Sequence, residues 1–272
     1  MRGLLLTCSD TIPHLFTEAA MNDQIEKAVE LIKKSQFTIA LTGAGISVES
    51  GIPDFRSAGG LWEKYDPALY ASIDSFKRKP EMVWDMLFEM VDIMENAKPN
   101  PAHLALARLE QLGYLSSIIT QNIDNLHQAA GSKHVIEYHG NASRLECLSC
   151  GRVYEKPEIM PENVAIPRCA ACDAVLKPTV IFFGEMIPYE AMSESSRLAD
   201  RAELVLVVGT SAIVYPAAGI PLQAKQNNAT VIEFNLEPTA LTGYITDLFI
   251  QGPAGETLNR VLEMLEKGTP SA

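Results

Sequence analysis

Short continuous apolar runs recur along the chain, and longer stretches with a helical period of apolar positions separate them. Continuous apolar runs are typical of strands that are buried on both faces of a parallel sheet. The runs predicted as strands are Phe37–Thr42, Leu115–Thr120, Val180–Phe183, Leu204–Val208, Thr230–Phe234 and Leu248–Ile250. The pattern therefore predicts one parallel sheet whose strands are joined by helices.

Amphipathic stretches between these runs predict the helices. In Asp23–Ser35, the residues Ile25, Ala28, Val29 and Ile32 fall on one helical face. Further helices are predicted at Pro80–Glu95, at Pro101–Leu112 with Asn100 as the N-cap, and at Gly255–Glu266. Strands that alternate with helices predict the α/β class, here a doubly wound, Rossmann-like parallel sheet.

A glycine-rich turn, Gly43-Ala44-Gly45, ends the first predicted strand. A GxG turn alone is as often structural as ligand-binding. The continuation Gly51–Ser57 strengthens the ligand-binding interpretation. Backbone N–H groups of a glycine-rich loop suit a diphosphate, and Arg56 adds a fixed positive charge. Asp54 and Phe55 could orient and shield a ring. A dehydrogenase carries an acidic residue at a strand end about 20 positions beyond its glycines, and Leu61–Tyr65 does not resemble such a strand end. The sequence predicts a dinucleotide site and disfavours hydride transfer.

Polar or small residues also follow later strands, where ligands of open α/β sheets bind. They are Thr120–Asn125, Gly209-Thr210-Ser211 and Asn235. Loop capping by Asn and Asp is the alternative for the first stretch. Three strand ends of this kind favour a shared ligand site.

Two cysteine pairs, Cys147-x-x-Cys150 and Cys169-x-x-Cys172, have the spacing of a tetrahedral four-thiolate zinc site. Four sulfurs leave no open coordination position, so we expect one structural zinc. Redox CxxC motifs or chance are the alternatives. We predict an inserted zinc-ribbon module at residues 142–173, a Rossmann-like dinucleotide-binding domain at 23–141 and 174–268, and an N-terminal extension at 1–22.

Composition narrows the choice of partners. The 272 residues carry a net charge of −12, which disfavours a nucleic-acid groove and a basic zinc-ribbon binding module. No apolar run is long enough for a transmembrane helix. Four cysteines committed to metal indicate a reducing compartment, so we predict a cytoplasmic protein without membrane partners.

Histidines and methionines supply further candidates. His139-Gly140 lies just before the first cysteine pair, whereas His14, His103, His127 and His134 are assigned structural or solvated roles. A methionine ladder at Met82, Met86, Met90 and Met94 indicates core packing, with an adaptable apolar wall beside a substrate as the alternative.

Taken together, these stretches resemble the sirtuins of bacterial or archaeal type, which are NAD-dependent protein lysine deacylases. The resemblance covers residues 23 to 266 and includes all the motifs above together with Lys177–Glu185. Ala212 and Pro253 depart from the family, which usually has leucine and aspartate there.

The resemblance implies roles for individual residues. His139 is the expected base, with Asn122 beside it at the catalytic centre; Asn122 and Asp124 line the nicotinamide pocket, and Phe55 shields the reacting ribose. The expected NAD contacts are Gly43, Ala44, Gly45, Asp54, Phe55, Arg56, Gln121, Asn122, Ile123, Asp124, Gly209, Thr210, Ser211, Asn235, Leu236, Glu237 and Ala254. The expected substrate contacts are Val180, Phe183, Gly184, Glu185, Val214 and Tyr215.

The implied reaction transfers an acyl group from a lysine to ADP-ribose and releases nicotinamide. An acyl-lysine peptide is expected to pair as a strand between Gly184-Glu185 and Val214-Tyr215. Sirtuins that remove acidic acyl groups carry a tyrosine and an arginine where this chain has Leu87 and Met90, so uncharged acyl groups are expected. Transfer of ADP-ribose to a protein or to water is the alternative activity. The oligomeric state stays open, and the sequence is compatible with a monomer.

Overall fold

The computed structural model describes residues 18–155 and 166–267. Its helices are α1 (Glu18–Lys34), α2 (Leu61–Lys64), α3 (Pro67–Tyr70), α4 (Ile73–Arg78), α5 (Pro80–Asn96), α6 (Pro101–Gln111), α7 (Leu126–Ala129), α8 (Tyr189–Arg201), α9 (Gly219–Gln226) and α10 (Ala254–Lys267), with a 3-10 helix at Ala44–Ser50. Its strands are β1 (Thr38–Thr42), β2 (Ser117–Thr120), β3 (Val135–Glu137), β4 (Arg144–Cys147), β5 (Val153–Glu155), β6 (Leu176–Pro178), β7 (Leu204–Val208), β8 (Thr230–Asn235) and β9 (Leu248–Gln251).

Six parallel strands form the main sheet in the order β3-β2-β1-β7-β8-β9. Strand order reverses at β1, whose neighbours are β2 and β7, so Thr42 lies beside both Thr120 and Val208. A crevice opens at the carboxyl ends of strands at such a switch point, and ligands of this fold class bind there. The prediction of a doubly wound Rossmann-like parallel sheet is confirmed.

Each face of the sheet is covered by a helical layer. Ile25, Ala28, Val29 and Ile32 of α1 are buried in a core cluster with α6 and α10, as the helical period predicts. On the other face, α8 and α9 cover Ile39, Leu41, Val205 and Val207, among others. The strands are fully buried because both of their faces are covered, which explains their continuous apolar sequence.

A smaller antiparallel sheet, ordered β5-β4-β6, carries the cysteine pairs. It packs with helices α4 and α5 around a third core cluster that includes Phe76, Trp84, Leu145 and Leu176. Strand β6 (Leu176–Pro178) lies wholly beyond the predicted module boundary at 173. The domain limits themselves stay predictions, and most of the predicted extension at 1–22, residues 1–17, lies outside the described residues.

One strand prediction is wrong. Val180–Phe183 lies in a loop rather than in the main sheet. Its backbone bonds go to separate partners: Ile181 N donates to His139 O and Phe183 N donates to Ala71 O, both at 2.8 Å. Val180 and Phe182 are buried in the core cluster beneath the antiparallel sheet, so burial here does not indicate a strand.

Several other elements were not predicted from the sequence. β3 has only three residues and includes Glu137, so it lacks a continuous apolar run. Helices α8 and α9 are amphipathic but were not predicted. Among the described helices, none is both long and apolar enough to cross a membrane.

Candidate active site and metal centre

The turns after β1 and β7 touch at the switch point. Gly45 N donates to Gly209 O at 2.8 Å, and Gly43 N donates to Val208 O at 3.1 Å. A Cβ added at Gly209, where φ is 58°, would lie 2.2 Å from Ile46 N, and one at Gly45 would lie 2.8 Å from Gly209 O. Glycine is required because the two backbones cross with no space for side chains.

A polar network lies beneath these turns. Ser47 Oγ donates to Asp124 Oδ2 at 2.7 Å, and Asn122 Nδ2 donates to Ser47 Oγ at 3.0 Å and to Gly43 O at 3.2 Å. Asn122 N donates to Thr120 Oγ1 at 3.1 Å. Because each amide and carboxylate has a partner, their remaining polar atoms are held in fixed positions facing the cleft.

Two buried histidines extend this network, although the sequence analysis gave them no role in the site. His127 Nε2 lies 2.9 Å from Thr42 Oγ1, and the ring centroids of His103 and His127 are 4.9 Å apart. Burial lowers the pKa of His103 to about 4, with Asp124 opposing the shift, and lowers the pKa of His127 to about 3. Both imidazoles are therefore neutral at pH 7.

A local sequence signal for one of these histidines existed. His103 completes a capping box with Asn100 at the start of α6. Asn100 Nδ2 donates to Ile46 O at 2.6 Å and so ties this cap to the glycine turn. His127 has no comparable local signal, because its contact with Thr42 depends on the sheet register.

His139 faces the cleft from the segment after β3. Its Nδ1 lies 3.2 Å from Gln121 O. A carbonyl only accepts hydrogen bonds, so Nδ1 carries the proton in the neutral ring, and the Nε2 lone pair is free to take another. Burial lowers the pKa of His139 from its ordinary value, and the bond to the Gln121 carbonyl opposes that shift. A neutral imidazole with a free Nε2 suits a general base.

Gly140 fixes the backbone beside His139. Its φ is 75°, and an added Cβ would lie 2.0 Å from Thr179 O. The histidine segment is thereby held against the loop that follows β6.

Polar groups at the far end of the cleft surround the carboxyl ends of β7 and β8. Gln121 Nε2 donates to Thr210 Oγ1 at 3.1 Å, and Asn235 Nδ2 donates to Thr210 O at 3.2 Å. Glu49 Oε2 accepts from Gly255 N at 2.7 Å, so this carboxylate caps the first turn of α10 beside Ala254.

The loop after the glycine turn is folded on itself. The Asp54 carboxylate accepts from Ser57 N at 2.8 Å and from Arg56 N at 3.0 Å, so Asp54 organises the loop. Phe55 stacks on Trp62 with ring centroids 4.9 Å apart. The Arg56 side chain is exposed at the cleft and available to an anionic ligand.

An apolar wall from α5 forms another side of the cleft. Met86, Leu87 and Met90 are buried and line it, and Met94 lines it near the end of the helix. Met82 does not line the cleft. Leu87 and Met90 stand where sirtuins that remove acidic acyl groups have a tyrosine and an arginine. Both line the cleft, and neither carries a charge.

Two backbone segments that line the cleft, Gly184-Glu185 and Val214-Tyr215, each have an N–H group without a partner among the described residues. Gly184 N and Tyr215 N donate no hydrogen bond to another described residue. Phe183 is 46% exposed and Tyr215 is 68% exposed at these segments. An extended peptide could pair with both segments.

These parts enclose one cleft of about 1390 Å³. It exceeds the range of roughly 300–1,000 Å³ that is usual for one small-molecule site, so it can hold a dinucleotide together with a second substrate. All the predicted cofactor, catalytic and substrate residues line it: Gly43, Ala44, Gly45, Asp54, Phe55, Arg56, Gln121, Asn122, Ile123, Asp124, His139, Val180, Phe183, Gly184, Glu185, Gly209, Thr210, Ser211, Val214, Tyr215, Asn235, Leu236, Glu237 and Ala254.

The four predicted cysteines form a separate cluster outside the cleft. The sulfurs of Cys147, Cys150, Cys169 and Cys172 all lie within 4.8 Å of one another. A tetrahedral ion with Zn–S bonds of about 2.3 Å places its sulfurs roughly 3.8 Å apart, so the cluster fits zinc. Both pairs sit on equivalent turns, in which Gly151 N donates to Cys147 O and Asp173 N donates to Cys169 O, each at 2.8 Å.

Comparison with known proteins agrees with this geometry. The Sir2 family description matches residues 43–216. An NAD-dependent protein deacylase of Thermococcus sibiricus is 45% identical over 89% of this chain and 97% of its own length. One of Pyrococcus furiosus is 46% identical over 88% of this chain and 96% of its own length. A solved Sir2–p53 peptide–NAD+ structure has a TM-score of 0.83 at 38% identity, covering 90% of this chain and 99% of that chain.

Proposed function

The chain belongs to the Sir2 family, and from that premise we propose how its cleft performs NAD-dependent protein lysine deacylation. The enzyme removes acetyl or other uncharged acyl groups from lysines and yields nicotinamide, free lysine and O-acyl-ADP-ribose. The single observation that carries the residue assignments is one cleft lined by the glycine crossing, by His139 and by the two backbone segments Gly184-Glu185 and Val214-Tyr215.

NAD is the co-substrate, and its diphosphate fits the glycine crossing. The 3-10 helix at Ala44–Ser50 opens there, and Arg56 supplies a positive charge at the same cleft. Asn235, Leu236, Glu237 and Ala254 suit the adenosine half because they surround the ends of β8 and β9. Asn122 and Asp124 suit the nicotinamide half because the polar network fixes their orientation.

His139 is proposed as the general base. When bound, NAD supplies a cationic leaving group, nicotinamide, so the protein needs no acid at that step. His139 Nε2 takes a proton from a ribose hydroxyl, while its Nδ1–H stays on the Gln121 carbonyl. Phe55 and Trp62 shield the ribose from water on the opposite side of the cleft.

The acyl-lysine peptide is proposed to lie between Gly184-Glu185 and Val214-Tyr215. Main-chain bonds would give affinity with little demand on peptide sequence. The acyl chain would extend towards Met86, Leu87 and Met90, where a carboxylate would find no cationic partner among the α5 residues that line the cleft.

Zinc is structural in this account. Cys147, Cys150, Cys169 and Cys172 would hold it, and it would supply folding energy to the three-stranded sheet rather than chemistry at the cleft. The cytoplasmic location and the absence of nucleic-acid and membrane partners stay predictions, and the oligomeric state stays open.

Product analysis tests the proposed function. The protein would be incubated with NAD and an acetyl-lysine peptide, and the products would be identified by mass. Transfer of ADP-ribose to the peptide or to water would favour the alternative activity. The position of His139 beside the cleft favours deacylation, because that step needs a base at the ribose.

A further inference from the structure

A buried lysine lies between the zinc module and the proposed peptide site. The Lys177 side chain is 0% exposed, although lysine is rarely buried unless it is paired. Lys177 belongs to β6 and pairs directly across the small sheet with Glu146 of β4, the residue before Cys147.

The ammonium group of Lys177 is surrounded by acceptors. Nζ donates to Pro178 O and to Val180 O, each at 2.8 Å. Its Nζ also lies 3.0 Å from Glu146 Oε1 and 3.3 Å from Glu185 Oε2, and it sits 4.9 Å from the centroid of the Phe182 ring. Four oxygens compete for three N–H donors, so the side chain is held from both sides.

These contacts converge on the loop from Pro178 to Glu185. The loop lacks a strand ladder, and its backbone bonds run to separate segments, including Ile181 N to His139 O at 2.8 Å. Glu185 Oε2 also accepts from Phe182 N at 2.7 Å. Lys177 thus holds two carbonyls and one carboxylate of a loop that has little regular structure of its own.

Stability alone does not account for this charge. Replacing a whole buried ion pair with well-packed apolar groups is often neutral or stabilising, so stability does not by itself require a charged cluster at this place. The positions of the partners explain the presence of a lysine. Its ammonium group binds Pro178 O, Val180 O and Glu185, and so fixes the loop that carries Gly184.

Resting on the proposed function, we infer that Lys177 is a positioning residue that fixes the peptide-binding loop onto the zinc module. It does not touch the reacting atoms. Lys177 determines the positions of Val180, Gly184 and Glu185, which contact the acyl-lysine peptide. Glu146 connects Lys177 to the zinc module.

The test compares Lys177→Met, Lys177→Arg and Glu146→Gln with the wild type. Lys34→Met is the control, since Lys34 is exposed, does not line the cleft and contacts Glu30 at 3.6 Å. Each protein is assayed for acetyl-lysine peptide KM, kcat, NAD affinity, zinc content and thermal unfolding. Binding of a fluorescent acetyl-lysine peptide is measured separately by anisotropy.

Lys177→Met is expected to raise the peptide KM and peptide Kd by about 10-fold or more, since small displacements of positioning groups have effects of this size. NAD affinity and one zinc per chain should be retained. Lys177→Arg should recover most of the peptide affinity because it keeps a cation and several donors. Glu146→Gln should give a smaller rise, and Lys34→Met none.

Three results would overturn the inference. The first is an unchanged peptide KM in soluble Lys177→Met. The second is a loss of NAD affinity and of bound zinc that accompanies the loss of peptide affinity. The third is a peptide affinity that does not recover in Lys177→Arg. If Lys177→Met does not fold, an unchanged peptide KM in Glu146→Gln overturns it equally. A wild type that binds peptide but yields no deacylated product contradicts the proposed function instead, and the anisotropy series still decides the role of Lys177.

Discussion

The crossing of the two glycine turns predicts a large effect from one methyl group at Gly45. In Gly45→Ala the new Cβ would lie 2.8 Å from Gly209 O and 3.0 Å from Gly209 C and Cα, whereas ordinary contact begins at 3.4 Å. The turn must therefore move away by 3.4 − 2.8 = 0.6 Å. All three contacted atoms are backbone, so no side-chain rotation can relieve the clash.

The same movement weakens the bond from Gly45 N to Gly209 O at 2.8 Å. Overpacking of a tightly packed site typically costs about 1–3 kcal/mol. If the cost falls on the NAD-binding arrangement, the NAD dissociation constant rises by about 5-fold to 150-fold, since about 1.4 kcal/mol is a factor of ten. A cost that falls on the fold instead appears as a lower free energy of unfolding.

Calorimetric titration with NAD and thermal unfolding measure the two effects in one protein. Gly219→Ala is the matched control, because its Cβ would meet only Tyr215 Cε1 at 3.9 Å. We expect Gly219→Ala to keep both NAD affinity and thermal stability. If Gly45→Ala matched Gly219→Ala in both measurements, the glycine crossing would not be the constraint described above.

The other predictions concern the base, the metal and the acyl wall. His139→Ala should lower kcat by about 10²-fold or more while NAD still binds; near wild-type turnover would reject the base. Since burial lowers the pKa of His139, the neutral form persists below pH 6.5, and the acid limb of kcat/KM should have its midpoint below that value. Cys147→Ala should bind no zinc, melt at a lower temperature and have lower activity. Active wild-type protein that contains no zinc would exclude a structural zinc site. Butyryl-lysine should bind more tightly than acetyl-lysine by roughly 0.8 kcal/mol per buried CH₂, and succinyl-lysine should be poor; equal cleavage of succinyl-lysine would refute the apolar wall.

The sequence was most informative where local pattern and burial agree. The helical face at Ile25, Ala28, Val29 and Ile32 is buried, and the cap at Asn100 starts α6 as predicted. The cysteine spacing also located the four-sulfur cluster, because each CxxC turn is a local structure. The residues predicted after successive strands line one cleft because the carboxyl ends of parallel strands meet at the same edge of the sheet.

Contacts between distant segments could not be predicted in this way. In Val180–Phe183, Val180 and Phe182 pack into the core cluster beneath the antiparallel sheet, and that apolar pattern was mistaken for a strand of the main sheet. His103 and His127 owe their lowered pKa values to burial between elements far apart in sequence. Lys177 looks like an ordinary charged residue until the pairing of β4 with β6 places it beside Glu146.

Identification of the reaction products tests the central claim most directly. Purified protein, NAD and an acetyl-lysine peptide should give deacetylated peptide, nicotinamide and O-acetyl-ADP-ribose in equal amounts, as measured by mass spectrometry. The acetyl group should be found on ADP-ribose rather than as free acetate. Peptide that keeps its acetyl group while NAD is consumed, or that gains ADP-ribose, would contradict the account.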